Sequence, residues 1–167
     1  EDGVADFFDS LGGKDYSTRQ KILKDSRLGS FGVLALIIVF MLKFLLLSGL
    51  EQPFALACGL ISCLSLGRFS ILLLVNYSDL SKQAGLTKHL KKVSRKTIIL
   101  CGMFSMLWVI PAGLFAIIFM IIFGYASIYF FSKFVVPFNR GLSGDILGLY
   151  VIFVELSSLL ILTASFS

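Results

Sequence analysis

The run "VLALIIVFMLKFLLLSGL" at 33–50 carries one charge in eighteen residues, and the chain repeats the pattern. A helix of about 20 apolar residues spans the hydrocarbon of a bilayer. "FALACGLISCLSLGRFSILLLVNY" at 54–77 qualifies with one arginine, and "ILGLYVIFVELSSLLILTASF" at 146–166 with one glutamate. The stretch 97–136 is too long for one crossing. Pro111-Ala112-Gly113 is a natural turn within it, so the sequence predicts a tight hairpin of 97–110 and 113–132. Only 15% of the 167 residues are charged and 57% are hydrophobic, whereas a soluble domain has about a quarter charged. The expectation is an all-α, polytopic transmembrane bundle of five spans. It forms a single integral membrane domain over 1–167, in which 1–32 is a cytoplasmic active-site segment with short helices. The acidic start lacks the apolar core of a signal peptide.

Five spans put the polar segments 1–32, 78–96 and 133–145 on one side. Thirteen of the fifteen Lys and Arg fall there, which makes that side cytoplasmic. The basic run "SKQAGLTKHLKKVSRK" at 81–96 reads first as a topology signal at an anionic lipid surface. A rim that attracts phosphorylated substrates is compatible with it. No aromatics interleave with these bases, so nucleic acid is not a partner. Cys58, Cys63 and Cys101 sit in apolar runs without a CxxC, as packing residues, and His89 is a solvated loop residue.

Lys43, Arg68 and Glu155 are the charges left inside the spans. Counted from the cytoplasmic ends, each lies roughly 14–15 Å deep. Charges at that depth face one another or a wet cavity. Glu155 is therefore expected to pair with Arg68, Lys43 or both, with independent cavity-facing side chains as the alternative.

Three polar clusters remain. "EDGVADFFDS" opens the chain with Asp2, Asp6 and Asp9 at the spacing of one helical face. Their mutual repulsion calls for water and salt, a basic neighbour or a divalent metal. "KDSRLGSFG" (24–32) adds Asp25, Ser26 and Arg27 with two glycines, a mixture that suits a metal-bridged phosphate. "RGLSGDILG" (140–148) places Ser143, Gly144 and Asp145 where the last span begins. That is a potential anion or metal site, although Asp145 alone would read as an N-cap. Together these residue types suggest Mg²⁺-dependent phosphoryl-group transfer. There is no P-loop and no Ser–His–Asp set around His89.

In order and spacing these motifs resemble the adenosylcobinamide-GDP ribazoletransferase (cobalamin synthase) family. Asp2, Gly3, Ala5, Asp6 and Asp9 match its first motif. Asp25, Ser26, Arg27, Gly29 and Gly32 match the second, and Gly144, Asp145 and Gly148 the third. Lys43, Gly67-Arg68 and Glu155 also look like family positions. The resemblance implies a multi-pass enzyme of the bacterial or archaeal cytoplasmic (inner) membrane that works in cobalamin biosynthesis. It would join α-ribazole or its 5′-phosphate to adenosylcobinamide-GDP, with Mg²⁺, and release GMP. It further implies catalytic Asp2, Asp6 and Asp25, metal ligands Asp2, Asp6, Asp9, Asp25 and Asp145, and phosphate contacts from Ser26, Arg27, Ser143 and Gly144. Lys43, Arg68 and Glu155 would be structural charges.

Arg140, Ser143 and Ile152 depart from the family pattern, as does Lys24. The chain also starts inside the first motif, which leads to the expectation of an N-terminal truncation. Two other readings compete. A CDP-alcohol phosphotransferase needs D-x-x-D-G-x-x-A-R, but here Asp2-Gly3 is followed by Val-Ala-Asp. A transporter fragment would use Lys43, Arg68 and Glu155 as its site, and would leave the acidic stripe unexplained.

Overall fold

The protein is described here by a computed structural model, which covers residues 1–23, 25, 27–78, 90–138 and 141–166. Ser26, Lys24, Arg140, and residues 81–89 of the basic run with His89, lie outside the described residues. The described residues build a helical bundle. Helices α1 (Asp2–Ser10) and α2 (Tyr16–Ile22) precede α3 (Ser30–Ser48) and α4 (Pro53–Tyr77). Then come α5 (Arg95–Met106), α6 (Leu114–Phe130), the short α7 (Val136–Phe138) and α8 (Gly144–Phe166). Five helical segments are long and apolar enough to cross a membrane: Ser30–Ser48, Pro53–Tyr77, Arg95–Ala112, Leu114–Phe138 and Gly144–Phe166.

Helix limits follow from local chemistry. Pro53 takes the first turn of α4, where its missing N–H costs nothing. Ser94 caps α5 by accepting from the Thr97 amide at 3.2 Å. The short arm of the hairpin gains reach from the 3₁₀ turn Leu107–Ala112. At about 2 Å per residue, that turn extends it to roughly the thickness of a hydrocarbon core. The reversal then falls at Gly113, whose φ of 91° lies in the left-handed region open to glycine. At its far end α6 widens into a π-helical turn, Phe131–Val135, before α7.

The core is organised by residue size. Between helices in lipid there is no hydrophobic gain from contact, so close packing needs small side chains. The buried face of α4 carries Ala55, Cys58, Gly59, Ser62, Cys63, Gly67 and Ser70, and its main neighbour is α8. Lipid-sized side chains such as Phe40, Phe44, Phe115 and Ile122 point outward. At one end of the bundle Thr163 of α8 donates to the Leu46 carbonyl of α3 at 2.9 Å. At the other end Leu142, Ile146 and Tyr150 pack with Leu74, Phe131 and Val135.

Helix α1 differs from the expectation of a purely cytoplasmic segment. Asp9, near its C-terminus, meets Gly29 and Gly32 at the start of α3, while Glu1 reaches Lys43 three turns further along that helix. It therefore runs antiparallel to α3 into the bundle, burying Gly3, Val4 and Ala5. Val4 joins Ala35, Val39 and Ile152 in one apolar cluster. Helix α2 folds back at Gly12-Gly13. The Nε of Arg19 donates to the Gly13 carbonyl at 3.1 Å, and its guanidinium lies 4.2 Å above the Phe138 ring.

Candidate active site

The acidic stripe does not act as one unit. Asp9 accepts the Gly29 and Gly32 amides at 2.8 Å each, one on each carboxylate oxygen. It thereby satisfies two of the orphan N–H groups where α3 begins. A Cβ on Gly29 or Gly32 would collide with this carboxylate. The glycines read as a phosphate cradle thus admit the protein's own aspartate.

Asp2 and Asp6 remain one turn apart on α1. Gly3, between them, lies so close to α8 that a Cβ would strike the Asp145 backbone, and Gly148 is its other neighbour. This backbone contact brings Asp145 to the Asp2–Asp6 face. Burial pushes the Asp6 carboxyl above the usual carboxylate range, and Asp2, Asp145 and Asp9 push it further. No three His, Cys, Asp or Glu side chains among the described residues are grouped closely enough to hold a metal ion as they stand. In charge and donor type, however, Asp2, Asp6 and Asp145 fit a hard divalent cation: all are oxygen donors, and a cation would relieve their repulsion.

The second expected cluster stands apart. Arg27 donates to Asp25 at 2.8 Å through Nη2, and the pair is exposed. Arg27 holds the Asp25 carboxyl down to about 2. Asp25 is paired with Arg27, and among the described residues it joins no group of three acids close enough to share an ion. At the third cluster, the Ser143 hydroxyl accepts the Ile146 amide at 3.4 Å. Ser143 caps α8 and Asp145 lies in its first turn. The neighbouring Gly144 has open space where a Cβ would stand.

Next to Asp2 and Asp145 along the chain, Glu1 and Gly144 line a cleft of about 390 Å³ together with Lys43, Leu64, Arg68, Gly148, Val151 and Glu155, among others; Asp2, Asp6 and Asp145 stand outside its lining. Glu155 accepts from Lys43 at 2.7 Å and also from Arg68. Its side chain is 4% exposed, so the two cations supply what water would. Glu1 adds a longer contact to Lys43 at 3.5 Å. Gly67 makes the room, since a Cβ there would stand 2.8 Å from the Glu155 Cγ. The sequence reading left Glu1 without a partner.

Fold and site define a class: a multi-pass helical membrane protein with several acids beside a charged cleft within the bundle. The cobalamin-5-phosphate synthase family profile matches residues 1–163. The chain belongs to that family. It is 34% identical over 173 aligned positions to an adenosylcobinamide-GDP ribazoletransferase of Shewanella woodyi, covering 97% of this chain and 65% of that protein. The like-named protein of Thermoanaerobacter sp. is 32% identical over 165 positions, covering 95% and 65%. In Shewanella sp. strain ANA-3 a 48-residue stretch reaches 56% identity, over 28% of this chain and 18% of that protein. The chain thus spans about 65% of the length of the first two relatives. No solved structure gives a significant match.

Proposed function

We propose that this chain forms the catalytic part of an adenosylcobinamide-GDP ribazoletransferase. The reaction joins α-ribazole, or its 5′-phosphate, to adenosylcobinamide-GDP and releases GMP. The observation that carries the reading is the cluster of Asp2, Asp6 and Asp145, drawn together by the Gly3 contact beside a cleft that holds cations. A diphosphate substrate needs both signs of charge, acids for its metal ion and cations for its oxygens.

In this reading Asp2, Asp6 and Asp145 hold Mg²⁺. When bound, the ion neutralises diphosphate oxygens and eases departure of GMP. Asp9 does not share in this. It fixes α1 to the start of α3, and so sets the direction in which Asp2 and Asp6 project. Gly3 and Gly148 set their separation from Asp145. Arg27, 88% exposed and, among the described residues, paired with the nearby Asp25, would recruit an anionic substrate at the surface. The polar end of the bundle faces the cytoplasm of a bacterial inner membrane, where the positive-inside bias of the sequence puts it.

The test is release of GMP from adenosylcobinamide-GDP by the purified chain in lipid nanodiscs, with and without α-ribazole and Mg²⁺. Release that requires both supports the reading, and Asp6→Asn should lower it at least 100-fold in a folded protein. Full turnover in folded Asp6→Asn would remove the acidic cluster from the mechanism.

A further inference from the structure

The floor of the cleft sets two cations, Lys43 and Arg68, against two carboxylates, Glu155 and Glu1, but shares them unevenly. One carboxylate, Glu155, serves two cations. Lys43 is closely matched: its side chain is 20% exposed, with Glu155 at 2.7 Å and Glu1 at 3.5 Å. Arg68 is different. Its side chain is 61% exposed, and a single Nη1 contact to Glu155 is its hydrogen bond among the described residues. A guanidinium has five N–H donors. An exposed guanidinium nine residues inside an apolar helix is costly unless it faces water or an anion.

The surroundings say which side it serves. Toward α5, Arg68 borders a groove of Phe69, Leu72, Leu100 and Phe104, whose Ser65 and Ser105 hydroxyls already bond helix carbonyls. That groove has no second cation. Toward α8, Arg68 opens on the cleft, beside Lys43 and below the start of α8 at Gly144. It lies nine residues, about 14 Å of helix, before Tyr77 at the end of α4.

We propose that Arg68, backed by Lys43, is an anion-binding residue, and that a phosphate group of a water-soluble diphosphate ligand docks on it in this cleft. Glu155 holds the guanidinium until the ligand arrives and then competes with it. Gly67 sets how far Glu155 reaches. This deepens the reading above and rests on it only for the ligand's identity. The cleft would hold opposite charges at its two ends, with metal-binding acids at the mouth and an anion site at the floor.

Inorganic pyrophosphate is the probe, and the chain in phosphatidylcholine nanodiscs is the sample. Two measurements report binding. One is the pyrophosphate-dependent shift in thermal unfolding. The other is protection of Leu64→Cys, on the cleft wall, from a water-soluble thiol reagent in a background with Cys58, Cys63 and Cys101 replaced by Ala. Arg68→Gln should weaken the apparent Kd at least 10-fold, and Glu155→Gln should tighten it about 3-fold or more. The charge-balanced double variant Arg68→Gln/Glu155→Gln should regain thermal stability without regaining pyrophosphate.

If the double variant binds as the parent does, or Glu155→Gln leaves the Kd unchanged, Arg68 is a structural counter-ion and the proposal falls. Protection by phosphatidylglycerol nanodiscs in the absence of pyrophosphate would assign the site to lipid and overturn it likewise. The two readings separate cleanly. Arg68-dependent pyrophosphate binding without GMP release sinks the proposed reaction alone. GMP release with KM and pyrophosphate binding untouched by Arg68→Gln sinks the anion site alone.

Discussion

The mouth and the floor of the cleft solve opposite electrostatic problems. At the mouth, burial raises the Asp6 carboxyl, and repulsion from Asp2, Asp145 and Asp9 adds to it. At the floor, Glu155 is nearly inaccessible yet holds two partners. Like charges can stand together where a cation or solvent offsets them. The floor is built from matched charges and from Gly67, which lets them meet. Repulsion that the fold tolerates among the aspartates is the property that a cation-binding site needs. Cohesion at the floor is what a bundle needs to keep charged residues at all.

The largest effect should come from the floor. Glu155→Leu strands Lys43 and Arg68 together and should destabilise the bundle by about 3–5 kcal/mol, read by thermal unfolding in detergent. A smaller loss, about 1–3 kcal/mol, is expected from Gly67→Ala, because the new Cβ must push Glu155 aside. Simultaneous Gly67→Ala and Glu155→Gln should cost less than the sum of the two single changes. Asp9→Ala strips both Gly29 and Gly32 of their acceptor, at about 1.5–3 kcal/mol. Such a loss would place Asp9 with the structural residues, apart from its neighbours at the mouth.

The acidic mouth should respond to pH with two opposite signs. Asp6 has a raised carboxyl in the fold, so between its ordinary value of 3.8 and its higher folded value the native state binds more protons than the unfolded one. Its contribution to stability therefore rises as pH falls through that window, and Asp6→Asn should abolish this part of the profile. Asp25 is held down to about 2. Its contribution is present above 3.8 and fades as pH falls from there toward 2. Arg27→Gln should remove that acid-side loss. Being exposed, it should shift the profile only slightly. Mg²⁺ at neutral pH should raise the unfolding temperature of the parent and leave Asp6→Asn unmoved. The smallest effect is expected at Gly144→Ala, within about 0.5 kcal/mol in unfolding, because open space stands where the methyl group would go.

The helical class, the five membrane-length segments and the family were legible because hydropathy and motif spacing are written along the chain. Contacts among distant charges were legible to a degree, since membrane depth can be counted in residues and limits who can meet whom. The orientation of α1 was not. In a bilayer, apolar residues cover both the lipid face and the core, so hydropathy does not distinguish the faces of α3 or α8. Side-chain size does: Gly3, Gly59 and Gly67 mark close approaches. Nor could spacing tell that Asp9 would turn toward Gly29 and Gly32, because that depends on where a helix twenty residues later begins. Asp25 beside Arg27 shows the reverse case. A partner two residues away wins over a cluster that must be reached through the fold.

The near-contact of Gly3 with the Asp145 backbone joins the opening helix of this chain to its final span. Asp2 and Asp6 are synthesised about 140 residues ahead of Asp145, so the acidic cluster cannot assemble while α8 is still being made. A chain halted before α8 would carry eight of its ten acids but neither Asp145 nor Glu155. Asp145 and Glu155 thus meet Asp2, Asp6, Lys43 and Arg68 only once α8 has been made and packed against helices that precede it.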